Sequence, residues 1–260
     1  MSVIGVVSMK GGVGKTTVTA NLATALASKL GSGRVCVLDL DPQDGLHWHF
    51  GTAEQPGAGV CQDALRQASP DDHKNWRTLA EVSALGVLCL PYGEASEAQR
   101  RNFEALLASQ TDWIGRHIND ADLDDNAVIL IDTPPGPSVY LKQVFSCADL
   151  VLVVLLADAG SYATVPAMEA WLNEMMAMYP KVTTRYVLNQ VDRSLPINRD
   201  IADALSFHLG HRLCAIGIHH DDTVGEALAF QQPVLVYDPH GQPSHDFDRL
   251  ATSVIDTLNQ

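Results

Sequence analysis

Short apolar runs and longer amphipathic stretches alternate along almost the whole chain. Runs rich in β-branched residues occupy positions 3–8, 35–39, 86–90, 127–132, 150–155, 183–189 and 215–218. Several are apolar at every position and not at every second one, the pattern of strands covered on both faces. Between them, spacing and length predict helices at 15–30, 97–109, 161–179 and 198–209, with a last helix at 244–258. This alternation predicts an α/β fold: a doubly wound, mostly parallel sheet of seven or eight strands with helices on both faces. No repeat, low-complexity tract or Ser/Gly linker divides the chain, so residues 1–260 read as one domain. The least regular stretches are 44–75, with Pro56, Gly57, Gly59 and Pro70, and 94–125, with the acidic cluster Asp120, Asp122, Asp124 and Asp125; both are expected to be largely solvated insertions.

Composition narrows the function classes. Of 260 residues, 46% are apolar and 18% charged, an ordinary globular balance. Lys plus Arg number 17 against 31 Asp plus Glu, a formal charge of −14, which disfavours binding nucleic acid by phosphate neutralisation. The longest apolar run, residues 150–157, is far shorter than the roughly 18–20 residues of a membrane span, and the first residues lack a signal peptide's basic region. A cytoplasmic protein is expected. The five cysteines, Cys36, Cys61, Cys89, Cys147 and Cys214, are too widely spaced for a zinc pair or a C-x-x-C motif and read as reduced, mostly buried thiols.

The sharpest chemical signal follows the first strand: Ser8-Met9-Lys10-Gly11-Gly12-Val13-Gly14-Lys15-Thr16-Thr17, running into a helix. Glycines let backbone N–H groups converge on an anion, and the helix N-terminus adds partial positive charge beneath it. Lys15 can reach the β- and γ-phosphates of a nucleotide, Thr16 can ligate Mg²⁺ and Thr17 can bind the α-phosphate. The usual G-x-x-x-x-G-K-[ST] pattern is broken, because Met9 stands at its first position and a second lysine, Lys10, precedes the glycines. Two acidic strand ends follow in order, Asp39-Leu40-Asp41-Pro42-Gln43 and Ile131-Asp132-Thr133-Pro134-Pro135-Gly136.

These three elements together resemble the deviant Walker A class of P-loop NTPases, the ParA/MinD family of ATPases, along essentially the whole chain. The resemblance implies an ATP- and Mg²⁺-dependent, slowly hydrolysing ATPase that dimerises around two nucleotides. Lys10 would reach across the interface to the partner's phosphates, and Gly11, Gly12, Val13, Gly14, Lys15, Thr16 and Thr17 would cradle its own. Asp41 would orient the attacking water, with Thr16, Asp39 and Asp132 serving the metal and its water shell. Asp44 departs from a frequent glycine, so the turn there is expected to differ. Asn189, at a strand end, corresponds to the residue that hydrogen-bonds adenine, and His219 stands beside the base where relatives often have proline.

Competing chemistries are less well supported. Histidines at 47 and 49, 208 and 211, and 219 and 220 invite a metal site, but no carboxylate or cysteine completes a tight set. Iron–sulfur relatives in the same fold class need a cysteine after the second acidic strand, where this chain reads Thr-Pro-Pro-Gly-Pro. A small ligase or kinase of the dethiobiotin synthetase sort would not need Lys10. From residue 200 to 260 only Arg212 and Arg249 stand against nine acids, too few bases for nucleoid binding or for a basic membrane-seeking helix. Residues 218–239, with Gln232-Pro233-Val234 and Tyr237-Asp238-Pro239, and Leu90-Pro91-Tyr92-Gly93 resemble the BcsQ branch of the family, ParA-like proteins of cellulose synthesis. That branch implies protein partners in an inner-membrane cellulose synthase complex and a position peripheral to that membrane. The alternatives are a partition or cargo-positioning ATPase on the nucleoid and a nucleotide-locked scaffold with little turnover. Residues 224–230 also read simply as an amphipathic helix packed on the sheet.

Overall fold

The computed structural model describes residues 1–52, 58–66 and 76–259. Its centre is a seven-stranded sheet of β1 (Ser2–Val7), β2 (Val35–Asp39), β3 (Glu81–Val82), β4 (Leu88–Leu90), β5 (Val128–Asp132), β6 (Leu150–Leu156) and β7 (Thr183–Asn189), in the spatial order β3-β4-β2-β5-β1-β6-β7. All neighbours are parallel except β3 and β4. The helices are α1 (Lys15–Leu30), α2 (Val60–Arg66), α3 (Glu97–Ser109), α4 (Trp113–Asn119), α5 (Val139–Cys147), α6 (Ala159–Met178), α7 (Pro196–Leu209), α8 (Asp222–Ala229), α9 (Val234–Tyr237) and α10 (Gln242–Leu258).

The fully apolar strands serve two cores. Ile4 and Val6, Leu130, and Leu152 and Val154 pack with α1 and α10 on one face. Val3 and Val7, Ile129 and Ile131, and Val151 and Val153 pack with α3 to α7 on the other. Strand residues alternate between faces, so only a run apolar at every position fills both. Gly5 lies where α5 comes closest: a Cβ there would stand 2.1 Å from Val144 Cγ1.

Three expectations are corrected. Residues 215–218 do not form a strand. The chain from 213 to 219 makes only isolated bridges to Tyr186 and Val191, and Gly217 lies where an added Cβ would crowd Val191 Cγ2 at 3.1 Å. The seventh strand is instead β3, created by a tight turn at Ser83–Gly86 in which Gly86 has φ +74°. That turn also delays β4, which starts at Leu88 and not at 86. Lastly, 94–125 is helical and not an irregular insertion, and one face of it joins the core: Phe103, Leu107, Trp113, Ile114 and Ile118 are buried, and Trp113 stacks on His117 at 3.9 Å. The outer face of α3 and the acidic residues Asp120, Asp122, Asp124 and Asp125 are exposed, as expected of a solvated surface. Of 44–75, Pro56, Gly57 and Pro70 lie outside the described residues, while Gly59 and α2 pack against the loop after β4.

The five cysteines are free thiols, with Cys36, Cys61 and Cys89 buried. Among the described residues no helix is long and apolar enough to cross a membrane. No group of three or more His, Cys, Asp or Glu among them could hold a metal ion. His208 instead pairs with Glu169 at 3.0 Å, and Arg212 bonds the same carboxylate.

The Gly5–Val144 contact yields a test of the layer packing. Gly5→Ala should destabilise the protein by about 1–3 kcal/mol through overpacking, and Val144→Ala in the same chain should return part of it. Equal urea midpoints for wild type and Gly5→Ala would show that α5 does not press on β1.

Candidate functional site

The strands of the parallel sheet end along one edge, and the glycine-lysine loop and the two acidic strand ends read from the sequence collect there, whereas the acidic cluster Asp120 to Asp125 lies at the opposite end, beside Arg34. β1 lies between β5 and β6, so the chain leaving it enters the crevice where ligands bind in open α/β sheets. Gly12 (φ +74°) and Gly14 (φ +82°) turn the loop with backbone angles that L residues rarely adopt. Gly14 caps α1 without any side-chain hydrogen bond, so the first N–H groups of that helix remain open to an anion. A side chain at Gly14 would also strike Asn189, whose Nδ2 would lie 2.4 Å from the new Cβ.

The floor of the site is a pair of buried carboxylates. Asp39 and Asp132 are register partners on β2 and β5, both without solvent exposure. Asp132 Oδ2 accepts the Thr16 hydroxyl at 2.6 Å, and its Oδ1 accepts Thr19 Oγ1 at 3.2 Å. Burial pushes the Asp132 carboxyl up to about 6, against the lowering effect of Thr16 and the Lys15 ammonium. Asp39 is raised further by burial and by Asp132, yet its oxygens accept the N–H of Asp41 (2.9 Å) and of Leu46 (3.0 Å). Asp39 therefore pins the loop that carries Asp41. Lys15 is 7% exposed, and burial lowers its pKa while Asp132 and Asp41 oppose that shift.

Above this floor opens a cleft of about 840 Å³, lined by Gly11, Gly12, Gly14, Lys15, Thr16, Thr17 and Asp41. Pro135 closes it from the segment after β5, which is tied back by Gly136 N–H donating to Ser8 O at 2.8 Å. Trp48, buried His49 and Leu228 of α8 form the far wall. A second cavity of about 270 Å³ meets the cleft at Thr17 and Leu228 and contains Asn189 and His219. Val13 is buried, and its carbonyl accepts Asn189 Nδ2 at 2.8 Å.

Lys10 behaves differently from the rest of its loop. Its Nζ lies 2.7 Å from Asp158 Oδ2, and it is absent from the lining of the cleft. Asp158 also caps α6 by accepting Ser161 N–H at 2.6 Å. Burial opposes its ionisation, but Lys10 and Ser161 outweigh it and hold the carboxyl below its ordinary value. The sequence contains no local signal for this pairing across 148 positions.

Asp44 resolves the turn that departs from glycine. It adopts φ +47°, the left-handed conformation a glycine would take, and its carboxylate accepts Tyr92 N–H at 2.9 Å and Gly93 N–H at 3.2 Å. The segment bearing Asp41 is thereby clamped to the loop after β4. In α8, which spans the residues read as an amphipathic helix, only Ala227 is buried.

Two predictions follow from this loop. Asp44→Gly keeps the backbone conformation and loses both clamping bonds, so it should cost about 1–2 kcal/mol, whereas Asp44→Asn should cost less; urea melts separate them, and equal losses would mean that the clamp is not the cause. His49, buried and held down to about 4 by desolvation, resists protonation in the folded chain but not in the unfolded one. Stability is thus whole above about pH 6.5 and should fall as pH drops toward 4, by up to about 3 kcal/mol. His49→Phe should flatten that part of the profile in denaturant melts at stepped pH, and an unchanged slope would exclude His49 as its source.

Comparison with known proteins agrees with this architecture. The chain is 26% identical over 271 residues to a chromosome partitioning protein ParA of Caulobacter vibrioides, covering 98% of this chain and 94% of the relative. It is 24% identical over 238 residues to the cellulose biosynthesis protein BcsQ of Salmonella typhimurium, covering 91% and 87%. Its fold matches cobyrinic acid a,c-diamide synthase of Mycobacterium smegmatis, solved with an ATP analogue and magnesium (TM-score 0.79, 19% identity, 100% and 96% covered). It also matches the septum site-determining protein MinD of Pyrococcus horikoshii, solved with Mg-ADP (TM-score 0.72, 20% identity, 97% and 95% covered). The family model described as "Cellulose biosynthesis protein BcsQ" matches residues 1–255, and the chain belongs to that family, within the ParA/MinD type.

Proposed function

We propose that this protein is an ATP-binding and ATP-hydrolysing switch that pairs two copies around their nucleotides and supports a cellulose or related exopolysaccharide synthase complex. The observation that carries the reading is the combination of an uncapped, glycine-turned helix N-terminus with Lys15 and Thr16 lining the cleft and Asp132 bonded to Thr16 beneath them. Open backbone N–H groups and Lys15 bind the phosphates, and Thr17 takes the α-phosphate. The Thr16 hydroxyl and the Asp132 carboxylate, already 2.6 Å apart, form an oxygen donor set that suits Mg²⁺, which supplies charge neutralisation at the phosphates. Asp41 lines the cleft and orients the water, while Asp39 fixes the backbone behind it and supports the metal's hydration. Lys10, held outside its own cleft by Asp158, supplies its charge to the phosphates of a second copy. Slow turnover suits a switch whose ATP state must persist. Protein partners bring the molecule to the inner membrane.

Partition on the nucleoid is the second reading, favoured by the similarity to a chromosome partitioning protein along 98% of the chain. The charge of −14 weighs against it. Light scattering with ADP, with ATP and Mg²⁺, and with ATP, Mg²⁺ and duplex DNA discriminates the two. A dimer that forms only with ATP and ignores DNA at physiological salt supports a protein-docked switch; a dimer that coats DNA transfers support to partition. Lys15→Ala should weaken ATP binding by about 10- to 100-fold, and unchanged affinity would refute the phosphate assignment. Asp41→Ala should trap the ATP dimer. Lys10→Ala should bind ATP as a monomer, and a normal dimer would remove its role across the interface.

A further inference from the structure

Next to the phosphate cleft, the smaller cavity presents a hydrogen-bonding pattern fixed by groups outside it. The chain after β7 and the segment before α8 are laced together: Ile218 N–H donates to Leu188 O and Val191 N–H to Ile218 O, both at 2.8 Å. This sets His219 beside Asn189 on the cavity wall. Asp246 of α10, 1% exposed, reaches His219 from behind. One of its oxygens, Oδ2, lies 2.9 Å from the His219 backbone N–H and 2.7 Å from Nδ1. The other, Oδ1, accepts Gln242 Nε2 at 2.9 Å.

Those partners decide the tautomer. A backbone N–H can only donate, and so can an amide nitrogen, so both Asp246 oxygens act as acceptors. The third group on that carboxylate, Nδ1, must then carry the imidazole proton. In the neutral ring this leaves Nε2 as a bare acceptor, and no described residue engages it. Asn189 is oriented by Val13 O, which accepts one N–H of its Nδ2 at 2.8 Å and leaves its Oδ1 and a second N–H, so the choice between acceptor and donor falls to His219. Asp221 and Asp222 add acceptors at the rim, while half-buried Val224 and the more exposed Leu228 offer apolar surface to a flat ring.

We infer that His219, locked by Asp246 as the Nδ1–H tautomer, is a base-selecting residue that favours a purine carrying a 6-amino group over one carrying a 6-oxo group. The inference rests on the nucleotide reading of the neighbouring cleft and extends it to the identity of the base. A 6-amino group donates to Nε2. A 6-oxo group sets its lone pairs against that of Nε2 and leaves this acceptor unpaired, the condition under which a polar site rejects an analogue most strongly. Asp246 acts as a positioning residue, since it works only through the ring.

The test uses the full chain with ATP and inosine triphosphate, which differ at the 6-position and at the protonation of N1. Wild type should bind ATP about tenfold or more tightly than inosine triphosphate. His219→Phe, which keeps a ring at a half-exposed position, should bring that ratio close to one while still binding both nucleotides. Long-range ¹H–¹⁵N spectra of the wild-type histidines should show His219 with its proton on Nδ1. A preserved ratio in the variant, or a proton on Nε2, would overturn the inference while leaving the phosphate site intact. A wild type that binds neither nucleotide would instead refute the nucleotide reading beneath it.

Discussion

Asp132 is a carboxylate without solvent exposure at the end of a central strand, and the geometry of the cleft hangs on it. Its two oxygens hold Thr16 and Thr19 on the first turns of α1. The neighbouring Thr133 hydroxyl donates to Val6 O at 2.8 Å, so the end of β5 is stitched to β1 as well as to the helix that follows it. Burying such a group is costly unless donors and a cation attend it. Lys15 and the two threonines supply both, and in doing so they bring the loop, the helix and the strand to one point. A hydrophobic residue in its place would relieve the desolvation and dissolve the reason for α1 to begin where it does.

The central sheet and the glycine loop were legible because their determinants are local. Short runs apolar at every position, rich in β-branched residues and bounded by turn signals, favour strands covered twice, and a strand, a glycine-lysine loop and a helix in sequence have few other uses. Weaker local signals failed. The run 215–218 is apolar, but Gly217 sits against Val191 and the segment stays irregular, while β3 exists only because Gly86 can turn the chain. Helix α5 went unread, although Ser138 before it is a plain N-cap that accepts Leu141 N–H at 3.3 Å. The charge-rich surroundings of Phe103 and Trp113 concealed that both are buried.

Within the site, the legible part was the chemistry of each residue, and the hidden part was its tertiary partner. Asp44 looked like an awkward replacement for glycine, yet it takes the left-handed conformation and spends its carboxylate on the loop after β4. Lys10 was read by its neighbours in sequence, while its position is set by Asp158 at the start of α6. Asp246 carried no motif at all; only the packing of α10 brings it to His219. Long-range pairings of single polar residues leave no periodicity to detect.

The two margins of the sheet have a consequence for how copies can meet. On one side the border strand β3 has two residues and is antiparallel, too short to template another strand. On the other, the backbone of β7 is covered by the chain that follows α7, with Cys214 N–H donating to Tyr186 O and Ile218 N–H to Leu188 O, each at 2.8 Å. Among the described residues, neither border offers a long run of free peptide groups to continue the sheet into a neighbour. The described sheet thus disfavours self-association by strand addition and leaves contact between copies to side chains and loops, whose chemistry, unlike that of a bare strand edge, can distinguish one partner from another.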